Sequence, residues 1–185
     1  MTCKLNDGFQ LPKKQVLMTT QKIGRGMWVA MWLLVLAMLT WFFSGALERQ
    51  RNPNASPETR TDSLVSEVVL QRNRQGHYIA TGRINSRPVE FLLDTGATDV
   101  SVPADLAQRL ELRKGARVLF QTANGTVAGH RTFLDQVQLG DIRIDDIRAS
   151  INPGMKGDSV LLGMSFLKHL EFTQRGDRLI LRQYH

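Results

Sequence analysis

One cysteine, four histidines and six prolines in 185 residues leave little material for a disulfide framework, a metal centre or a proline-rich tract. The lone thiol, Cys3, precedes the longest apolar run, so whatever folds after that run must be held by its core and by association. His77, His130, His169 and His185 have no metal-ligand spacing and no neighbouring cysteine, so no metal and no other cofactor is expected. Asp141, Asp145 and Asp146 alternate with Arg143 and Arg148, the pattern of a charged sheet face rather than of a cation site. Ser101 and Ser165 lack a Gly-x-Ser-x-Gly setting, which removes support for nucleophile-elbow serine chemistry.

The formal net charge of +7 does not point to nucleic acid. Lys4, Lys13, Lys14, Lys22 and Arg25 cluster before the apolar run against a single acid, Asp7. The remaining bases are scattered among acids, with no basic stripe interleaved with aromatics, so no nucleic-acid partner is expected.

No charge interrupts Gly26 to Leu47, and Met27 to Phe43 is almost wholly apolar. At a rise of about 1.5 Å per residue, roughly 20 such residues cross the bilayer's hydrocarbon layer of about 30 Å. Trp28 and Trp32 toward one end, with Trp41, Phe42 and Phe43 toward the other, suit the two interfaces. The basic cluster ahead of the span places residues 1–26 in the cytoplasm, a transmembrane helix over 27–47, and the rest beyond the inner membrane. A cleaved signal peptide is the competing reading, because Ser44-Gly45-Ala46 are small; the long n-region and the long apolar run favour an anchor.

Residues 48–74 are polar, carry two prolines and have only a short apolar patch at Leu64 to Leu70, which reads as a linker with a little local structure near its end. From residue 75 to 185 short apolar runs alternate with turn residues, the pattern of a mainly β domain. Strands are expected over 77–84 and 89–93 around Asn85-Ser86-Arg87-Pro88, and over 117–122 and 126–133 around Ala123-Asn124-Gly125. Further strands are expected over 134–139, 142–151, 171–174 and 178–182, with short helices over 103–110 and 164–170.

The stretch that carries chemistry is Phe91-Leu92-Leu93-Asp94-Thr95-Gly96-Ala97-Thr98. A carboxylate at the end of a buried apolar strand is costly unless it is partnered or used. A bare Asp-Thr-Gly is more often only a turn. Here an apolar strand feeds it, and a second apolar run, Val160-Leu161-Leu162-Gly163, follows downstream and opens a helix. Between the two lies the hairpin of residues 121–129, placed to fold over a site as a lid. Asp99 reads as a turn or surface acid.

Leu92 to Thr98 together with Leu161-Leu162-Gly163 resembles the retropepsin-like aspartic peptidases, and residues 75–182 follow their order of elements. The apolar N-terminal segment and Leu162 to Phe172 resemble a bacterial, membrane-anchored branch of that group. The resemblance implies a single-lobe closed β barrel with one or two short helices that forms a homodimer and hydrolyses a protein or peptide substrate. It implies Asp94 as the catalytic acid, with Thr95 and Gly96 shaping the active-site loop. Leu161, Leu162 and Gly163 would support that loop from beneath, and Asn124 and Gly125 would stand at the tip of a flap. Thr98 departs from the retroviral pattern, where an acid is common. The main alternative is a catalytically silent domain of the same fold that binds peptides or scaffolds a membrane complex.

Overall fold

The computed structural model describes residues 14–122 and 125–185. The chain divides into two units, one ending at Ala46 and the other running from Leu47 to His185. Helix α1 spans Lys14–Arg51, and its stretch Gly26–Arg51 is long and apolar enough to cross a membrane. Its large apolar side chains, Trp28, Leu34 and Trp41 among them, are exposed. That is unfavourable in water and neutral in lipid.

The second unit is built from two sheets. One has the order β1(Glu58–Thr61), β2(Val65–Gln71), β11(Arg178–Tyr184), β10(Glu171–Arg175), all antiparallel neighbours. The other runs β3(Ile79–Ile84), β4(Arg87–Leu93), β9(Ser159–Leu162), β5(Val100–Pro103), β8(Ile142–Asn152), β7(Gly125–Leu139), β6(Arg117–Thr122). A further pairing of β3 with β7, Arg83 opposite Gln138, joins the first strand of this series to the last but one and closes a ring of six strands with β6 outside it. Closure needs Gly82: a β-carbon there would lie 2.4 Å from the Gln138 carbonyl oxygen and 2.6 Å from the Phe91 ring. Inside, Phe91, Ile84, Leu134, Leu139, Ile147 and Leu162 are fully or almost fully buried. Burial of each such side chain contributes about 1.5–3 kcal/mol. The mainly β fold expected from the turn spacing is present.

Several expected elements differ in detail. The hairpin after β3 turns on Asn85 and Ser86 alone, both at positive φ (48° and 68°), and Arg87 already belongs to β4. Residues 126–133 and 134–139 form one strand, β7, because no turn residue separates Phe133 from Leu134. Its first part pairs with β6 and its second with β8. The helices are shorter than expected, α2 at Ala104–Arg109 and α3 at Met164–Leu167.

The segment 48–74 is more ordered than the expected linker with a little local structure near its end. It supplies β1 and β2, and its asparagines are buried rather than solvated: Asn54 is 3% exposed. The Asn54 amide donates to Ile79 O (2.6 Å) and Gln71 O (2.9 Å), while its Oδ1 accepts from Gln71 N–H (2.6 Å). Asn52 donates to Thr81 Oγ1, and Asn73 donates to Arg51 O. Polarity here satisfies buried backbone groups instead of facing water.

Candidate active site

β4 ends in Phe91-Leu92-Leu93, which pair in parallel with Val160-Leu161-Leu162 of β9. On its other side β9 meets β5, with Leu161 opposite Ser101. The connection from β4 to β5, residues 94–99, therefore has to pass over the end of β9. Three backbone bonds fasten it there: Asp94 N–H to Leu162 O (3.2 Å), Met164 N–H to Ala97 O (2.8 Å) and Ser165 N–H to Thr98 O (2.9 Å). Gly163 lies directly against this loop, and a β-carbon on it would stand 2.4 Å from Asp99 O and 2.6 Å from Ala97 O. Leu162 and Gly163 are buried, and Leu161 is half-buried.

Asp94 is half-buried at the head of the loop, with Thr95 and Gly96 exposed beside it. Its Oδ1 accepts from Gly96 N–H at 2.9 Å, which fixes the carboxyl plane across the turn. No ion pair is made by Asp94 among the described residues, whereas the loop's other acid, Asp99, is paired with Arg148 Nε at 2.7 Å. The two acids thus have separate fates: Asp99 is held in its ion pair with Arg148, and Asp94 has none among the described residues.

Asp94 and Thr95 stand at the edge of a cavity of about 410 Å3 whose other walls are Tyr78, Leu93, Leu167, Phe172, Gln174, Leu179 and Leu181. A larger cavity, about 600 Å3, is lined by Arg113, Lys114, Arg131 and Phe133 among others, and shares no residue with the Asp94 loop. The larger cavity carries acids too, Glu111 and Asp135; what marks the smaller one is the Asp-Thr-Gly loop at its edge. The hairpin of β6 and β7 has Thr122 opposite Gly125, with Gly125 at φ 105°. Asn124, the other expected tip residue, lies outside the described residues. No group of three or more His, Cys, Asp or Glu side chains suited to a metal occurs among the described residues.

One contributor escaped the sequence reading. Ser165 is 6% exposed; its Oγ accepts from Val100 N–H (2.9 Å) and donates to Arg148 O (2.8 Å). It ties α3 to β5 and β8 directly behind the loop. No local signal marks such a latch, since both partners are more than fifteen positions away.

Comparison with known proteins agrees with this geometry. A family model described as "gag-polyprotein putative aspartyl protease" matches residues 80–169. The chain is 30% identical over 181 residues to an uncharacterized protein in the cobV 5′ region of a Sinorhizobium species, covering 90% of this chain and 78% of that one. It is 28% identical over 160 residues to an uncharacterized protein of Rickettsia prowazekii (strain Madrid E), covering 84% and 68%. The crystal structure of a retropepsin-like aspartic protease from Rickettsia conorii matches with a TM-score of 0.56 at 29% identity, over 70% of this chain and 96% of that one. The chain belongs to the retropepsin-like aspartic peptidases.

Proposed function

We propose that this chain is a membrane-anchored aspartic endopeptidase whose active site is completed by a second copy, each contributing Asp94. The observation that carries the reading is the half-buried Asp94 carboxyl, without an ion pair among the described residues and held by Gly96 N–H on a loop fastened to β9 at the edge of a largely apolar cavity. Such fastening suits a group that must keep its aim.

One carboxyl per chain is half of the chemistry. Two carboxyls about 3 Å apart cannot both ionise and so hold one proton between them. The ionised member takes a proton from a water, whose oxygen attacks the peptide carbonyl carbon. The protonated member gives its proton to the carbonyl oxygen as charge develops there. Collapse of the tetrahedral adduct then breaks the C–N bond, and the nitrogen leaves with a proton from the dyad. Only one Asp-Thr-Gly occurs in the chain, so a two-fold pair of chains supplies the other half. Thr95 and Gly96, exposed beside Asp94, would brace the partner's loop. Leu161, Leu162 and Gly163 would keep the loop in place from below. Substrate would lie extended, with main-chain hydrogen bonds and alternate side chains in pockets, under the hairpin that carries Gly125.

In this reading residues 27–47 span the inner membrane, residues 1–26 lie in the cytoplasm, and the peptidase domain stands on the far side. A shared membrane raises the local concentration of chains and favours pairing.

The test uses the full chain purified in detergent and a mixed peptide library, comparing wild type with Asp94→Asn. Cleavage by wild type and a loss of at least about 100-fold in the variant are expected. Equal cleavage by both ends the catalytic reading, and peptide binding without cleavage by either would favour the silent domain. Labelling of Cys3 with an impermeant reagent in intact cells should fail; labelling from outside would reverse the orientation.

A further inference from the structure

The cavity of about 600 Å3 is not used by the peptidase reading. Folding builds it from two places in the chain, because residues 113–116 run alongside β7 and are zipped to it. Thr132 Oγ1 donates to Arg113 O (2.8 Å), Gly115 N–H to Arg131 O (2.8 Å) and Arg131 N–H to Ala116 O (2.9 Å). A β-carbon on Gly115 would lie 2.8 Å from the Arg131 carbonyl oxygen, so glycine is what lets the two segments run this close. The zip sets three exposed cations, Arg113, Lys114 and Arg131, around one cavity. None of the three makes an ion pair among the described residues. Of the cavity's two acids, Glu111 is taken up by Arg87 at 2.7 Å, which leaves Asp135 against three cations.

Beside these cations the sheet has a gap. β7 is paired with β6 and its lead-in as far as Arg131, and on the same side is next bonded at Gln136, whose carbonyl accepts from Asn85 N–H (3.0 Å). Between those points no strand covers that side of β7 among the described residues. Backbone groups in a strand turn to alternate sides. Phe133, two places on from Arg131, therefore aims its N–H and C=O at the uncovered side, and its ring at the cavity wall is 64% exposed.

We propose that this cavity is a second polypeptide-binding site, which takes an acidic segment in extended conformation. The segment's carboxylates lie against Arg113, Lys114 and Arg131, and its backbone exchanges hydrogen bonds with Phe133 as an added strand does. The cations select the sign of the ligand. The free backbone donor and acceptor select a peptide over a bare anion. Binding here does not depend on Asp94; where the chain acts as a peptidase, the site holds its substrate apart from the bond being cut.

The test uses full-length Asp94→Asn in detergent, so that no probe is consumed, and a short fluorescent peptide of alternating glutamate and threonine. Binding followed by anisotropy should weaken as salt rises. The peptide's glutamine-for-glutamate twin should bind about 10-fold more weakly or worse, as the loss of three exposed charge contacts implies. Arg113→Gln, Lys114→Gln and Arg131→Gln combined should weaken the glutamate peptide by a similar factor. Those side chains are exposed, and an unchanged urea midpoint would confirm that the variant is folded. The Phe133 amide should gain hydrogen-exchange protection in the bound chain, which charge attraction alone would not produce.

Equal binding of the two peptides would overturn the site, and so would wild-type affinity in the triple variant, which would move the peptide to another surface such as the Asp94 cleft. Binding with no protection at Phe133 would overturn the strand-like mode and with it the choice of a peptide. Phosphatidylserine in the micelles is the rival probe: a chain that binds it through the same three cations and ignores the peptide has a lipid-headgroup site instead. The two readings fail separately. A chain that never cuts but binds the acidic peptide through these cations keeps this site and loses the peptidase. A chain that cuts, yet binds no acidic peptide here, keeps the peptidase and loses this site.

Discussion

Gly163 and Asp99 are in backbone contact so close that a β-carbon on the glycine would stand 2.4 Å from the Asp99 carbonyl oxygen. The neighbouring Ala97 carbonyl would be 2.6 Å away, so no flexible side chain can yield in its place. The end of β9 and the Asp94 loop are thereby fitted as one piece.

Gly163→Ala should lower stability by about 1–3 kcal/mol through overpacking, read as a fall in the urea midpoint. Because the loop must shift to admit the methyl group, cleavage should drop by on the order of 100-fold even where the variant is fully folded. A variant with wild-type cleavage would show that the loop's position is not what Gly163 guards.

Asn54→Ala removes a side chain that serves three backbone groups of β2 and β3. Leaving the Gln71 N–H and the Ile79 carbonyl unsatisfied in a buried place should cost about 2–4 kcal/mol. Asn54→Asp keeps the acceptor for Gln71 N–H but sets a carboxylate against two carbonyl oxygens, so it should rescue nothing. Chemical denaturation of the full chain in detergent checks both, and a loss below about 0.5 kcal/mol, the range of ordinary surface changes, would mean the stem is not part of the cooperative unit.

The Tyr184 hydroxyl donates to Glu171 Oε2 at 2.6 Å, and that bond holds the tyrosine pKa above its ordinary value. The neutral phenol is favoured in the folded chain. The pair's stabilisation is therefore complete below the unfolded tyrosine pKa of about 10 and is lost as pH rises through the raised folded value. Ultraviolet titration should show Tyr184 ionising later in the folded chain than in urea, and Glu171→Gln should bring it back. Arg182, raised by its hydrogen bond to Glu67, keeps its charge throughout that range. Identical titrations of wild type and Glu171→Gln would remove the assigned cause.

Much of the site was legible because its signals are local. An apolar strand, an Asx turn with its glycine, and a second apolar run ending in glycine are all readable from neighbours in the chain. What escaped depends on partners far away in sequence. Ser165 looks like any helix-start serine until Val100 and Arg148 are folded around it. Asp99 reads as a solvated acid because its cation, Arg148, comes from another strand. The greatest discrepancy was at residues 48–74, where asparagines and prolines suggested a tether. Asparagine is as well suited to feeding buried backbone groups as to meeting water, and composition does not distinguish the two. The apolar patch at Leu64 to Leu70 did signal local structure there, and the alternation in Val65–Gln71, with Ser66, Val68 and Leu70 turned inward, makes it a strand.

The burial of Asn52 and Asn54 also bears on the durability of the molecule. A peptidase that takes extended chains would meet, in residues 58–71, a stretch already paired into a sheet and held by the hydrogen bonds of Asn54. A cut within residues 58–71 would first require β1 or β2 to unravel, so proteolysis of this stretch is governed by local unfolding rather than by access to a free strand.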